Sequence, residues 1–209
     1  MKVSFFSLAV VIFVLLPRAA SAAEDSYTLM VWGDSLSAAY GFSEDQGWVT
    51  LLEEKLDFEN WPYRVINGSV SGETTTGGLE RLPAMLESYS PDLVILELGG
   101  NDGLRGLPLE LMKANLKSMV ELVRAEGGEV LLAGIQIPPN YGPRYTEPFF
   151  AVFGEIAEED SLPLVPFLID GIPQQQELIQ NDGIHPRAEA QSMILENVWP
   201  YLEPMLKKS

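Results

Sequence analysis

The sequence has no cysteine and only one histidine among its 209 residues. Without cysteine there is no disulfide, no thiolate metal site and no cysteine nucleophile, and one histidine cannot build a multi-histidine zinc centre. An all-oxygen site for calcium or magnesium stays open at this point. Positive charge is also scarce: 13 lysines and arginines stand against 30 aspartates and glutamates, a net charge of −17. A phosphate backbone is therefore a poor partner, because nucleic-acid binding needs a basic surface. No Gly-Lys pair occurs, so there is no Walker-type phosphate loop, and no G-x-G-x-x-G opens the chain. The G-x-S-x-G elbow of the α/β-hydrolases is missing as well. Hydrophobic residues make up 46% and charged residues 21%, which is ordinary globular composition and sets disorder aside.

Long apolar runs are lacking too. The longest, Phe5 to Leu16, is too short for a membrane-spanning helix, which needs about 20 residues. It follows Lys2 and precedes Pro17 and the small residues Ala19-Ala20-Ser21-Ala22-Ala23, the layout of a secretory signal peptide with Ala20-Ser21-Ala22 at the cleavage point. The expected division is thus a leader over residues 1–22 and one domain over 23–209. Removing the leader takes Lys2 and Arg18 with it and deepens the net charge to about −19. With no cysteine at the junction, a lipoprotein anchor is excluded. The expectation is an exported protein, periplasmic or secreted, with no stable membrane anchor and no nucleic-acid partner.

What is present is an alternation of two patterns. Leu29-Met30-Val31-Trp32, Tyr63-Arg64-Val65-Ile66, Leu93-Val94-Ile95-Leu96, Val130-Leu131-Leu132-Ala133 and the weaker Leu164-Val165-Pro166-Phe167 read as short buried strands. Helix-period stretches lie between them at Trp48 to Leu56, Leu79 to Tyr89, Leu109 to Glu126 and Phe149 to Glu159. A last one runs from about Ala188 to Leu206, bent or interrupted by Pro200 and Pro204. Strands separated by helices predict βαβ units, a parallel sheet and right-handed crossovers, here one doubly wound α/β domain of five strands. Ligands of such sheets bind beyond the carboxyl ends of the strands.

Four polar segments fall at those ends. Gly33-Asp34-Ser35-Leu36-Ser37 follows the first strand and offers a serine; taken alone it reads as a turn. The lone histidine sits in Asn181-Asp182-Gly183-Ile184-His185-Pro186, three residues after an aspartate. That spacing lets the carboxylate reach the imidazole within one loop, and a serine hydroxyl needs such a base to become a nucleophile. Gly99-Gly100-Asn101-Asp102 supplies a neutral amide suited to an oxyanion, and Ser71-Gly72 offers backbone N–H groups for the same purpose. Asp34 and Asp102 read as loop-shaping carboxylates, since neither lies beside His185 in sequence. The Ile137-Pro138-Pro139-Asn140-Tyr141-Gly142 segment reads as a proline-stiffened wall.

These four blocks, in this order from Val31 to Pro186, resemble those of the SGNH, or GDSL, family of serine ester hydrolases. The resemblance implies a flavodoxin-like fold and a cofactor-free, metal-free enzyme, expected to be monomeric, cleaving acyl esters and thioesters, including lysophospholipids, acyl-CoA and aryl esters. It assigns Ser35, Asp182 and His185 as the catalytic triad and Ser35, Gly72 and Asn101 as the oxyanion hole. It also implies substrate contacts from Glu73, Thr74 and Thr75, in a loop through Gly78 that moves over the acyl chain, and from Ile137, Pro138 and Tyr141. A carbohydrate O-acetyl esterase and a non-catalytic exported binding protein are the alternatives.

Overall fold

Strands covered on both faces need apolar residues at successive positions rather than at alternate ones, and that is how the runs at 29–32, 93–96 and 130–133 are used, while those at 63–66 and 164–165 form the edges. The computed structural model describes residues 26–208, so the expected leader over 1–22 lies outside the described residues. Strands β1 (Tyr27–Gly33), β2 (Tyr63–Asn67), β3 (Leu93–Glu97), β4 (Glu129–Ala133) and β5 (Leu164–Val165) form one sheet in the order β2-β1-β3-β4-β5. Every pairing is parallel. The helices are α1 (Trp48–Phe58), α2 (Thr75–Tyr89), the short α3 (Gly100–Leu104), α4 (Leu109–Ala125), α5 (Pro143–Glu159) and α6 (Gln191–Leu202).

Alternate strand residues sort the core into two halves. Met30 and Trp32 of β1, with Val94 and Leu96 of β3, face α2, α4 and α5. Leu29 and Val31, with Leu93 and Ile95, face α1 and α6. In α4 the buried Met112, Leu116, Met119, Val120 and Val123 recur at helical spacing, which is why that segment folds as an amphipathic helix against the sheet. The chain places β2 on one side of β1 and then crosses to place β3 on the other, so the order reverses between β1 and β3. A crevice opens at such a switch point, beyond the carboxyl ends of the two strands. Gly33 and Glu97, the last residues of β1 and β3, are register partners at its floor.

Several boundaries differ from the sequence expectation for local reasons. Helix α2 begins at Thr75, not Leu79, because the Thr74 side chain caps it by accepting from the Gly77 N–H. Helix α5 begins at Pro143 rather than Phe149; proline suits a first helical position, where its missing N–H costs nothing. Strand β5 stops after two residues, since Pro166 has no N–H to give the ladder. The Gly99–Gly103 segment, read as a polar loop, contains the start of α3. No described helix is long and apolar enough to cross a membrane.

Candidate active site

The turn after β1 is shaped by Asp34. Its Oδ1 accepts the N–H of Leu36 at 3.0 Å, and its carbonyl accepts from the N–H groups of Ser37 and Ala38 at 3.2 and 3.0 Å. The carboxylate thus folds the chain back on itself in an Asx-type turn that leaves Ser35 at the wall of a cavity. Behind the turn lies Glu97, fully buried, whose Oε2 accepts from the Ser37 hydroxyl at 2.7 Å and the Asp34 N–H at 3.2 Å. Gly33 has to be glycine here: an added Cβ would overlap the Glu97 carboxyl group.

The histidine segment is closed at its base by an isolated antiparallel bridge between Ile179 and Pro186 and by a 2.8 Å bond from the Gln180 N–H to the His185 carbonyl. Gly183 turns the chain at φ +74°. Asp182 Oδ1 accepts from the backbone N–H groups of Ile184 and His185 at 2.9 and 3.0 Å, and its Oδ2 lies 2.7 Å from His185 Nδ1. Burial raises this carboxyl's affinity for a proton, but the two backbone N–H bonds and the imidazole more than reverse that and hold it below the usual carboxylate range. On the other side of the ring, His185 Nε2 lies 2.8 Å from Ser35 Oγ. A carboxylate at Nδ1 favours the proton there, which leaves Nε2 free to accept from the hydroxyl.

The two neutral donors arrive from the neighbouring strand ends. Gly72, at φ +80°, lies in the turn after β2, and Asn101 is the second residue of α3. Asn101 Nδ2 donates to Asp34 Oδ2 at 2.9 Å, which uses one of its two N–H groups and leaves the other. The backbone N–H groups of Ser35 and Gly72 have no acceptor among the described residues. Burial pushes the Asp34 carboxyl up to about 6, against the opposing pull of the Leu36 N–H, the Asn101 amide and the charge of His185. Burial and then Asp34 hold Glu97 well above the usual range. Sequence reasoning passed over Glu97. Its signal was an acidic residue directly continuing the apolar run Leu93 to Leu96.

A cavity of about 1040 Å³ opens over these groups, with Ser35, Gly72, Asn101 and His185 in its wall. Ile137 and Pro138, expected as substrate contacts, line it, together with Leu104, Ile135 and Phe150. Tyr141 stands outside the wall; its hydroxyl donates to the Leu104 carbonyl at 3.0 Å and its ring is exposed at the surface. Glu73, Thr74 and Thr75 are not in the wall either. Glu73 accepts from Arg81 Nε at 2.6 Å, and Thr74 caps α2. Thr75 is buried with its N–H and hydroxyl on Asp102 at 2.9 and 2.6 Å. From Thr75 onward the expected loop from Glu73 to Gly78 is instead the first turn of α2, and the Glu73, Thr74 and Thr75 side chains are hydrogen-bonded within the fold. Asp102 and Asp34 both shape their loops, as expected. Among the described residues no three histidine, aspartate or glutamate side chains are grouped to hold a metal ion.

The profile of the GDSL-like lipase/acylhydrolase family matches residues 31–192. Over 179 residues the chain is 54% identical to the esterase TesA of Pseudomonas aeruginosa, covering 86% of this chain and 89% of that protein. It is 40% identical over 193 residues to thioesterase 1/protease 1/lysophospholipase L1 of Escherichia coli, covering 92% and 90% respectively. Among solved structures, the psychrotrophic esterase EstA from Pseudoalteromonas sp., inhibited by monoethylphosphonate, superposes with a TM-score of 0.82 at 42% identity. That match covers 86% of this chain and 98% of the esterase.

Proposed function

The chain belongs to the GDSL-like lipase/acylhydrolase family and is an ester hydrolase, and from that premise we propose that Ser35 is its nucleophile, His185 its acid–base and Asp182 the group that orients the imidazole. The observation that carries the proposal is the unbroken chain from Ser35 Oγ through Nε2 at 2.8 Å and Nδ1 to Asp182 Oδ2 at 2.7 Å, set in the wall of the cavity. As Ser35 Oγ attacks the acyl carbonyl, His185 Nε2 takes its proton, and Asp182 stabilises the imidazolium without taking a proton itself. The carbonyl oxygen, now negative, is met by the N–H groups of Ser35 and Gly72 and by the unused N–H of Asn101. Each such donor is typically worth about 3 kcal/mol of barrier. The imidazolium returns its proton to the leaving alkoxide or thiolate, and the acyl group stays on Ser35. Water then repeats the attack with His185 again as base, releasing the acid and restoring the serine.

The substrates we infer are acyl esters and thioesters: aryl esters, lysophospholipids and acyl-CoA. Leu104, Ile135, Ile137 and Phe150 give the cavity an apolar wall longer than an acetyl group needs, which disfavours a carbohydrate O-acetyl esterase. Cleavage of residues 1–22, export to the periplasm and a monomeric enzyme complete the reading; intact-mass measurement of the protein from a periplasmic extract tests the first two, with Ala23 as the expected first residue. The central test is replacement of Ser35 and His185 by alanine, singly and together. Each single variant should lose several orders of magnitude in ester turnover, and the double variant should be little worse, because such groups act as a unit. A folded Ser35→Ala protein that keeps a tenth of the wild-type rate would refute the nucleophile.

A further inference from the structure

Tyr40 is nearly half exposed, yet it is held. Its ring lies on the imidazole of His185 with centroids 4.4 Å apart and planes tilted by 39°. The backbone on either side is in the left-handed region, Ala39 at φ 53° and Gly41 at φ 88°. The Tyr40 carbonyl accepts from Gln180 Nε2 at 2.7 Å, and the same amide nitrogen donates to the carbonyl of Pro186, beside His185, at 3.0 Å. A Cβ at Gly41 would overlap the oxygen of that amide. One glutamine therefore ties the segment carrying Tyr40 to the segment carrying His185, although the two are far apart in sequence. The contact between the rings is built by the backbone, and the mechanism above does not use it.

We propose that Tyr40 is a positioning residue of the proton-transfer step, its ring face stabilising the imidazolium that forms when His185 takes the Ser35 proton. This rests on the reading of His185 as the base. An aromatic face carries partial negative charge and attracts a cation more than a neutral ring. The other groups that face the imidazole are Asp182 at Nδ1, the Ser35 hydroxyl at Nε2 and, from the turn after β1, the Asp34 carboxyl, which senses the charge of His185. None of these is altered by changing Tyr40. The ring also shields the imidazole from water, and shielding disfavours the charged form. The two effects have opposite signs, so one measurement separates them.

The sequence has one histidine, so its Cε1 proton can be titrated by NMR without ambiguity. In Tyr40→Leu the titration midpoint should fall by about half a pH unit, the shift that a partly exposed cation–π contact supports. The acid limb of kcat/KM should move down with it. Tyr40→Phe keeps the ring face and should stay within about 0.2 units of wild type. Tyr40→Gln gives a second ringless side chain, polar enough for an exposed site, should the leucine variant fold poorly. A midpoint that is unchanged or raised in the ringless variants would overturn the proposal, since it would make the ring inert or a shield. The titration is read whether or not the enzyme turns over, so an error in the assignment of His185 as base would appear separately, as activity surviving His185→Ala.

Discussion

Asn101 has two amide N–H groups. One is bound to Asp34 Oδ2 at 2.9 Å, which fixes the plane of the amide; in the proposed mechanism the other meets charge that exists only in the transition state. Asn101→Ala should therefore lower kcat by roughly a hundredfold or more and leave KM within a few-fold, measured by steady-state hydrolysis of an aryl ester. Asn101→Asp should be worse, because it sets a carboxylate both against the oxyanion and against Asp34. Both variants should still react slowly with a fluorophosphonate, as Ser35 and His185 remain. An Asn101→Ala enzyme with raised KM and unchanged kcat would instead make this residue a substrate contact.

At the scale of elements, the start of α2 is the place where a helix stands in for an expected loop. Thr74 caps the helix and Thr75 is bound to Asp102, with Asn115 Nδ2 donating to the Thr75 hydroxyl at 3.1 Å. Thr74→Ala should cost about 1 kcal/mol of stability, a fall in Tm of about 2–4 °C for a domain of this size. Ester hydrolysis by that variant should stay within about twofold of wild type, since a cap side chain makes no transition-state contact; a rise in KM would return Thr74 to the substrate site. The same region shows what sequence can and cannot disclose. Strands β1, β3 and β4 were legible because burial on both faces leaves unbroken apolar runs, and Ser35, Gly72, Asn101, Asp182 and His185 were nominated because four blocks, each a plain turn when taken alone, together resemble those of one family. The Thr74–Gly78 turn was not, because threonine and glycine serve loops, caps and substrate contacts alike, and only the position of Asp102 decides among them. Tyr40 and Glu97 were hidden for a different reason: their partners, His185 and the Asp34 N–H, are remote in sequence.

For the molecule as a whole, the buried pair Asp34 and Glu97 makes stability depend on pH in an unusual direction. Both carboxyls bind protons more tightly in the folded chain than in the unfolded one. The stability they contribute is fully present below the ordinary carboxyl range and is lost as pH rises through the folded value, about 6 for Asp34. Tm should therefore fall as pH rises from about 4 to about 6, and the double replacement Asp34→Asn with Glu97→Gln should flatten that slope whatever it does to the absolute Tm. An equally steep slope in the double variant would move the effect to the surface charge. Activity should be indifferent to EDTA, and loss of turnover restored by a divalent ion would overturn the metal-free mechanism.

Chain order puts Ser35 in the turn after β1, near the start of the domain, and the imidazole on a loop near its close. During synthesis on a ribosome the hydroxyl emerges long before the ring proposed to activate it. Until the Ile179–Pro186 bridge has formed, the growing polypeptide carries an ordinary serine. A chain that stops short of Asp182 lacks the base and the carboxylate of the proposed triad, so the activity we propose arrives only with the last loop.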